Sequence, residues 1–418
     1  MTAIHTGIDR SLGRLVDVTG RWEQTARGRA ALRRLTALIH TAARGVRHVH
    51  RHRRYLTVRR VANLALIELQ FKLKTERVIG RPKSMKIEPT NICNTSCQLC
   101  PTGQKLEGRP KGKMDFDAYR KLIDTHAWHL MALDLSMWGD PLIVPDIYKM
   151  IRYAHDRRIW TYISSNLHAF KIGPTRQQRE AGEPEQAVQL VESGLGMLTC
   201  SLHGASQATF EHYQPGKDFA AAVEKVKHII ATRDRLGSAT PEVQLNFVVT
   251  RHNEHEKDAF RALAADLGAK AVFSRPAMNI RFLDKDKQLQ PLGLAPDLVA
   301  KKTKQRLDDW LPEDESFVLE PYREIAETGE FHGEKYNGKK LFDCSWPWKQ
   351  AVVNWDGTVA TCCGSFDQRE DMGSVFEGGF AKVWNGEKYR LARRSFKSKL
   401  TDEQKQDNPC AECPGFML

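Results

Sequence analysis

The chain has 418 residues, of which 41% are hydrophobic and nine are cysteine. This length can bury a large core and two or three domains, which excludes a small disulfide-stapled scaffold. Nine cysteines are too sparse for a secreted disulfide framework, and their clustering favours metal ligation in a reducing compartment. The sequence shows no apolar run of membrane-spanning length and no signal-peptide core. We therefore expect a cytoplasmic protein.

The formal net charge of +13 is concentrated at one end of the chain. Residues 1–80 hold 17 Lys+Arg and 5 Asp+Glu, which gives +12 and leaves about +1 for the other 338 residues. From Gly28 to Arg60, apolar residues recur at three- and four-residue steps beside the Arg- and His-rich run from Arg47 to Arg54. This pattern is compatible with a solvated helix packed on the enzyme, with peripheral binding to an anionic membrane surface, or with nucleic-acid binding. Nucleic acid is the least favoured, because aromatic residues are almost absent there.

A strand-helix repeat begins after this basic segment. A second helical pattern, Val61 to Ile79, ends at Gly80-Arg81-Pro82, so we assign residues 1–80 to a basic helical extension. From Ser84 to about Arg275, six short apolar strands are each followed by an amphipathic helix pattern. The strands are expected near residues 85–90, 131–137, 159–165, 196–202, 242–250 and 270–275. The sequence thus predicts an α/β fold with a partial (β/α)6 TIM-like barrel over residues 81–280.

The distinctive polar motifs follow the predicted strands, where barrels of this kind carry their function. The first strand precedes three cysteines, the second precedes Trp138-Gly-Asp-Pro141, the third ends at Ser164-Ser-Asn166, and His203 follows the fourth. Residues 281–340 are charged, contain several prolines and lack the repeat, which suggests a linker or cover. Residues 341–418 hold five of the nine cysteines and form a small third unit.

The three cysteines of the first motif are Cys93, Cys97 and Cys100, in a Cys-x3-Cys-x2-Cys spacing. A [4Fe-4S] cluster normally takes four thiolates, so three leave one iron free to bind a small molecule. A structural zinc ion would require a fourth Cys or His close by, and the nearest, His126 and His129, lie on a separate predicted helix. The spacing and its strand context resemble the signature of the radical S-adenosylmethionine (SAM) superfamily.

This resemblance implies a fold, a cofactor set and a reaction. The core fold of that superfamily is the partial barrel. Its SAM fills the open iron through the methionyl amine and carboxylate, and reductive cleavage gives a 5'-deoxyadenosyl radical that removes a hydrogen atom from substrate. An external low-potential electron donor of flavodoxin or ferredoxin type would supply the electron.

The same resemblance implies SAM contacts. Gly139, Asp140 and Pro141 resemble the family's Gly-Glu-Pro element, although Asp140 is one methylene shorter, which leaves a backbone role favoured over a carboxylate contact. Ser164, Ser165 and Asn166 resemble a Ser-Thr-Asn-Gly stretch that meets the ribose or carboxylate, with a helix N-cap as the alternative. Leu99 stands where the family often places an aromatic residue against adenine.

Two residues of the fourth predicted strand and its loop are candidates for catalysis. His203 stands in place of an Asp common in relatives with a C-terminal cluster domain, and a histidine can bind an anionic group or shuttle a proton. Cys200 could donate a hydrogen atom only if its thiol faces the cavity. A buried inert thiol is the alternative for Cys200.

The C-terminal cysteines give a second motif, formed by Cys344, Gly357, Cys362 and the pair Cys410 and Cys413. This resembles a SPASM or shorter twitch domain, and residues 351–360 predict a hairpin that turns at Asp356-Gly357. Only six cysteines remain outside the first motif, too few for two fully thiolate-bound cubanes. We therefore expect one auxiliary [4Fe-4S] cluster on Cys344, Cys362, Cys410 and Cys413, with Cys363 as a spare thiol or substitute ligand. A zinc ion held by the same four thiolates fits their chemistry nearly as well.

Together these features predict a radical SAM enzyme. The resemblance implies that its auxiliary cluster accepts an electron from the substrate radical, giving a net oxidation or a cross-link, with electron return or a purely structural role as the alternatives. A zinc-stabilised nucleic-acid-binding protein and an iron-sulfur redox sensor without turnover are the alternatives. The substrate could be a peptide, a sugar, or a lipid or other small molecule. The basic extension slightly favours a membrane-associated or anionic substrate.

Overall fold

The structure is a computed structural model that describes residues 53–106, 108–276, 307–319, 322–323, 326–327, 344–398, 400–405 and 408–413. The chain divides into two compact units at Leu56/Thr57, and the second runs from Thr57 to Leu418. Most of the predicted basic helix over Gly28–Arg60 lies outside the described residues, so its partners stay a prediction. Among the described residues, no helix has the length and apolar character needed to cross a bilayer.

The core of the second unit is one eight-stranded sheet in the order β6-β5-β4-β3-β2-β1-β7-β8. Strands β1 to β6 are parallel, as predicted for a partial (β/α)6 barrel, and β7 joins the edge of β1 in parallel while β8 returns antiparallel to β7. The strands are β1 (Ser84–Ile87), β2 (Ala132–Asp134), β3 (Trp160–Ser165), β4 (Met197–Ser201), β5 (Glu242–Val248), β6 (Lys270–Ser274), β7 (Gln350–Val353) and β8 (Val359–Ala360).

Helices connect and cover these strands. They are α1 (Val58–Lys72), α2 (Phe116–His126), α3 (Ile147–Asp156), α4 (Arg176–Ala181), α5 (Gln186–Glu192), α6 (Gln207–Tyr213), α7 (Phe219–Arg235), α8 (Lys257–Asp266), α9 (Trp346–Lys349), α10 (Phe380–Trp384), α11 (Glu387–Arg394), α12 (Asp402–Lys405) and α13 (Pro409–Glu412). Short 3-10 turns occur at Arg53–Tyr55, Pro141–Ile143, Glu254–Glu256, Glu315–Phe317 and Gln368–Glu370.

Side chains alternate between the two faces of the sheet, as strand geometry requires. One face packs into a core that also contains helix residues, and Ile163, Leu198 and Leu245 on that face are fully buried. The opposite, concave face carries Tyr162 and Ser164 on β3, which are half-buried. The interior of the barrel is therefore lined in part by polar groups.

Helix α1 differs from the predicted pattern over Val61–Ile79. Its N-cap is Thr57, whose hydroxyl accepts from the amide of Arg60 (3.3 Å). The helix ends at Lys72, two residues before Lys74, which has a φ of +50°. Arg60 is 3% exposed and donates to the carbonyls of Ala127 (2.7 Å) and Arg157 (3.1 Å). Residues 57–80 thus pack within the same compact unit as the barrel, whereas the sequence analysis assigned them to the extension.

The predicted C-terminal hairpin is present as β7 and β8. Gly357 occupies its turn with a φ of +81°, a conformation that glycine adopts without a Cβ clash, and Asp356 accepts from the amide of Thr358 (3.0 Å). Because β7 pairs with β1 in register from Ser84↔Gln350 to Ile87↔Val353, the C-terminal unit continues the barrel sheet. This continuity places the cysteine-rich unit beside the strand that leads into the first cysteine motif.

Candidate metal centre and cofactor site

The first cysteine motif forms a loop directly after β1. The amide of Glu88 donates to the carbonyl of Val353 (2.9 Å), which fixes the start of this loop at the edge shared with β7. The Sγ atoms of Cys93 and Cys97 lie 3.1 and 3.4 Å from the hydroxyl oxygen of Thr95. The amide of Cys100 donates to the carbonyl of Cys97 (3.3 Å). The backbone therefore folds so that these cysteines share one small loop.

The environment of these thiols suits a metal cluster. Burial, and next the neighbouring Cys100, raises the pKa of Cys97 to about 12. Burial likewise raises the pKa of Cys100. Thiolates in such a setting need a nearby positive charge, which bound iron supplies. Across the described residues, no group of three or more His, Cys, Asp or Glu side chains is arranged to hold a single metal ion.

The second motif lies tightly against the cysteine loop. A Cβ on Gly139 would come within 2.3 Å of the carbonyl oxygen of Thr90 and 2.6 Å of that of Ile92. The amide of Asp140 donates to the carbonyl of Ile92 (3.0 Å). Only glycine permits this approach, and it brings the loop after β2 against the loop after β1.

The carboxylate of Asp140 is fully engaged inside the protein. It accepts from the amide of Leu142 (2.9 Å), the hydroxyl of Ser165 (2.9 Å) and the amide of Asn166 (2.8 Å), and the residue is 3% exposed. Burial is the largest influence on this carboxyl and raises its pKa. Pro141 follows at the first position of a 3-10 turn that Asp140 caps. Asp140 therefore positions the third motif, a role that the sequence analysis did not assign to it.

The three residues of the third motif take different positions. Ser164 lies on the concave face, with its hydroxyl 3.4 Å from that of Ser201. Ser165 is buried, donating to Asp140 and accepting from the amide of Leu167 (2.9 Å). The side-chain amide of Asn166 donates to Asn94 Oδ1 (3.0 Å) and lies 3.5 Å from Cys93 Sγ. Ser164 thus lies on the concave face and Asn166 lies beside Cys93, whereas Ser165 is buried against Asp140.

Leu99 contributes to an apolar cluster beside the cysteine loop. It is 8% exposed and packs with Tyr213, Leu307, Trp310 and Leu311, and Cys97 also contacts this cluster. The amide of Arg251 donates to the carbonyl of Trp310 (3.2 Å). The described part of the predicted linker, residues 307–319, therefore covers the cysteine loop and the loop after β5.

The two candidate catalytic residues are not equivalent. Cys200 is fully buried in the hydrophobic core on the helix-facing side of β4, so its thiol does not face the cavity, and the hydrogen-donor role is corrected to a structural one. Burial lowers the pKa of His203 to about 3, so its ring is neutral. The Nδ1 of His203 accepts from the amide of Val248 (3.2 Å), and the ring lies 4.4 Å from that of Tyr213. A neutral histidine in this position binds no anion by charge.

A polar group on the concave face was missed by the sequence analysis. Lys86 and Asp134 occupy paired positions on β1 and β2 and form an ion pair, and Lys86 also donates to the carbonyl of Ser136 (3.1 Å). Tyr162 occupies the next paired position on β3. The sequence signal that could have identified this group is the presence of two charged residues, Lys86 and Asp134, inside otherwise apolar predicted strands.

The auxiliary cysteines separate into two environments. Burial is the main cause of a strongly raised pKa at Cys362, with further contributions from Cys363, Cys410 and Cys413. The thiol of Cys363 instead interacts electrostatically with Lys86 and Asp134 on the concave face. Cys344 is half-buried immediately before α9. Cys362 therefore lies near Cys410 and Cys413, whereas Cys363 lies near Lys86 and Asp134.

A buried cation lies beside the auxiliary cysteines. Arg393 is fully buried and interacts electrostatically with Cys410, and burial lowers the pKa of its guanidinium to about 10. Its Nε donates to the carbonyl of Pro347 (2.8 Å), whereas its Nη2 has no hydrogen-bond partner among the described residues. A buried positive charge with a spare donor suits the negative charge of a thiolate-bound cluster.

The comparisons with known proteins concern the C-terminal domain and the class of the protein. Residues 344–414 match the family model described as SPASM, an iron-sulfur cluster-binding domain. Mycofactocin maturase MftC of Mycobacterium ulcerans is 25% identical over 316 residues, which cover 74% of this chain and 76% of that protein. The AdoMet-dependent heme synthase of Nitratidesulfovibrio vulgaris is 29% identical over 187 residues, 44% of this chain and 45% of the synthase.

Solved structures show the same fold. Streptococcus suis SuiB bound to S-adenosylmethionine superposes with a TM-score of 0.50 at 12% identity, covering 79% of this chain and 71% of SuiB. SuiB bound to its precursor peptide SuiA also gives 0.50, at 13% identity, with coverage of 82% and 72%. The comparisons confirm the predicted class, an enzyme with a partial α/β barrel and an iron-sulfur domain. More particularly, they confirm the recognition of a radical SAM enzyme with a C-terminal SPASM domain and the cofactors predicted with it.

Proposed function

We propose that Cys93, Cys97 and Cys100 hold the SAM-binding [4Fe-4S] cluster and that this chain oxidises or cross-links a peptide-like substrate inside its barrel. One observation carries the first part: the three motifs predicted to serve the cofactor converge on a single loop. Gly139 approaches that loop, Asp140 fixes Asn166, and Asn166 reaches Cys93. When bound, the cofactors supply the radical that removes a substrate hydrogen atom.

The protein residues then act mainly by positioning. The backbone around Gly139 and the side chains of Ser164 and Asn166 would hold SAM, while Asp140 and Ser165 keep those groups in place. Leu99 would pack against the adenine within the apolar cluster that it shares with Tyr213. Such a preorganised setting fixes which substrate hydrogen meets the radical.

A polar substrate fits the concave face. Lys86, Asp134 and Tyr162 lie in one row across three strands, and Ser164 and Ser201 lie above them. These groups are partly paired with one another, and an alkyl chain placed there would offer nothing to their remaining donors and acceptors, whereas peptide amides can pair with them. MftC is called a maturase, and SuiB binds a precursor peptide. These relatives support a peptide over a lipid.

The auxiliary cluster would sit on Cys344, Cys362, Cys410 and Cys413. Arg393 beside Cys410 adds positive charge, which favours a reduced cluster. This setting supports its use as an acceptor for the electron that the substrate radical gives up. Cys363 is left on the substrate side and outside the ligand set.

The cofactor part is tested with anaerobically reconstituted protein. We expect 5'-deoxyadenosine to form with dithionite and SAM, and Cys97→Ala to abolish it. Cys200→Ala, at a buried core thiol, serves as the matched control and should retain formation. A colourless wild type, or one that binds iron yet never cleaves SAM, would contradict the proposal and favour the zinc or sensor alternatives.

The substrate part is tested separately by stimulation of SAM cleavage. Peptides, sugars and lipid headgroups are each added to the reconstituted enzyme, and 5'-deoxyadenosine is measured. Peptides alone should stimulate 5'-deoxyadenosine formation. Removal of the phenolic hydroxyl by Tyr162→Phe should raise the peptide concentration needed for half-maximal stimulation. Stimulation by sugars or lipids only would reject the peptide and leave the cofactor assignment standing.

A further inference from the structure

The loop that follows the cysteine trio carries concentrated positive charge. From Lys105 to Lys113 the sequence reads Lys-Leu-Glu-Gly-Arg-Pro-Lys-Gly-Lys, with four basic residues and one acidic residue. Lys105, Lys111 and Lys113 are exposed. We call these three residues the lysine patch. Since the chain outside the first 80 residues is nearly neutral, this local excess is distinctive.

The lysine patch is held close to the cysteines. The amide of Gln104 donates to the carbonyl of Cys100 (2.9 Å), and the amide of Leu106 donates to that of Pro101 (3.0 Å), so Lys105 belongs to a turn closed on Cys100. At the other end, Lys111 Nζ lies 3.5 Å from the carbonyl oxygen of Asn91, two residues before Cys93. Both ends of the patch thus flank the loop that would hold the SAM-binding cluster.

The C-terminal unit anchors this loop at Gly108 and Arg109. Arg109 donates to both carboxylate oxygens of Asp371 (2.7 and 2.6 Å) and to the hydroxyl of Thr358 (2.8 Å). The amide of Gln368 donates to the carbonyl of Gly108 (2.9 Å). A surface that is already ordered loses less entropy when a partner binds.

The same loop borders an open concavity. Its volume is about 530 Å³, and Lys105, Arg109, Lys111 and Gln368 contribute to its lining. The side chain of Arg109 is 2% exposed, yet its Nε has no hydrogen-bond partner among the described residues. The concavity therefore presents the positive charges of Lys105 and Lys111 to an approaching partner, whereas the Arg109 guanidinium is buried and paired with Asp371.

We propose that the lysine patch is the docking surface for an acidic one-electron carrier protein of the flavodoxin class. The proposal rests on the proposed function, because each SAM cleavage consumes one electron, which the reduced carrier loses to the cluster. Charge complementarity accelerates the encounter of two proteins, and electron-transfer complexes need only small interfaces. The patch lies where such a carrier would approach the cysteines most directly.

A nucleic acid is the other polyanion that such a surface could attract. Proteins that bind single strands usually interleave aromatic side chains for base stacking, and residues 105–113 contain none. The position beside the cysteines has no bearing on nucleic-acid binding but is required for electron delivery. The observations therefore favour a redox protein.

The test compares two triple charge reversals. The patch variant is Lys105→Glu, Lys111→Glu and Lys113→Glu, and the matched control reverses three exposed lysines on separate helices, Lys72, Lys121 and Lys382. Reconstituted enzymes are assayed for 5'-deoxyadenosine with dithionite and with reduced flavodoxin. Flavodoxin affinity is measured independently by biolayer interferometry at low and high salt, also on cluster-free protein.

The patch variant should lose about tenfold or more of the flavodoxin-driven rate and of the flavodoxin affinity while keeping its dithionite-driven rate. The control should retain both rates. Equal loss with both reductants, unchanged flavodoxin binding, or tighter binding of a single-stranded oligonucleotide than of flavodoxin by the wild type would overturn the proposal. If the wild type forms no 5'-deoxyadenosine with dithionite, the proposed function fails, and the binding measurement still decides the docking surface.

Discussion

Arg109 and Asp371 join the loop after the first cysteine motif to the C-terminal unit by a two-point ion pair with N–O distances of 2.7 and 2.6 Å. Their side chains are 2% and 9% exposed. Trp138 provides a second link, donating from Nε1 to the carbonyl of Ser365 (3.1 Å) with its ring 5.1 Å from that of Phe366. The two cysteine-bearing regions are thus parts of one packed structure.

Asp371→Asn should destabilise the protein by up to about 3–5 kcal/mol, because the buried Arg109 guanidinium loses its two-point counter-charge and keeps only the more distant Asp356, at 3.8 Å. Chemical denaturation under anaerobic conditions measures the change. Glu180→Gln is the control, since it removes the exposed partner of Arg176 and should cost about 0–1 kcal/mol. Equal changes in the free energy of unfolding for the two substitutions would show that the buried pair contributes no more to stability than the exposed pair.

Asp140→Ala should weaken SAM binding by roughly 10- to 100-fold, because two charge-assisted hydrogen bonds that hold Ser165 and Asn166 disappear. The iron content of the reconstituted protein should stay near that of the wild type, since Asp140 is not a cluster ligand. Equilibrium dialysis with labelled SAM gives the dissociation constant. Unchanged affinity would remove Asp140 from the positioning role.

Cys362→Ser and Cys363→Ser form a matched pair of adjacent thiol substitutions. Cys362→Ser should lower the iron content by about four atoms per chain through loss of the auxiliary cluster. Cys363→Ser should keep the full iron content, because its thiol lies near Lys86 and Asp134 and is proposed to be outside the ligand set. Iron analysis and electron paramagnetic resonance measure both. Iron loss in Cys363→Ser would instead make that residue a ligand.

Glu88→Gln should stabilise the protein more at pH 8 than at pH 5. Burial raises the pKa of Glu88 to about 7 from its usual 4.5, so the folded state binds more protons than the unfolded state between those values, and stability falls as pH rises through them. Glutamine does not titrate, so Glu88→Gln removes this loss of folding free energy, which is roughly 3 kcal/mol at most. Denaturant unfolding at the two pH values is the measurement, and equal effects at both would contradict the assigned cause.

Mild acid should destabilise the folded state through its buried histidines. Burial lowers the pKa to about 4 for His126, to about 3 for His129 and to about 3 for His203. Below the unfolded value of about 6.5 the unfolded chain gains these protons first, so stability falls by about 1.4 kcal/mol per pH unit for each histidine until the folded pKa is reached. Asparagine tolerates the φ of +56° at position 203. His203→Asn should therefore reduce the loss of stability per pH unit by the contribution of one histidine, about 1.4 kcal/mol.

Much of the fold was accessible to sequence analysis because its signals are local. Short apolar strands alternate with amphipathic helices, and the six predicted strands agree with β1 to β6 to within a few residues. The hairpin turn at Asp356–Gly357 depends on the backbone preference of one dipeptide. The end of α1 was misjudged, because helix-favouring residues continue past Lys74 although the backbone there turns to a positive φ.

The cysteine spacings, the three strand-end motifs and the polarity of their residues are properties of the sequence by itself, since thiol chemistry and strand periodicity need no knowledge of distant contacts. Contacts between segments far apart in the chain decided the rest. They turned Asp140 inward, buried Cys200 in the core, placed Cys362 near Cys410 and Cys363 near Lys86, and paired Arg109 with Asp371. Burial and pairing arise only when separate segments pack together, which is why the role of a polar side chain was decided by the tertiary structure.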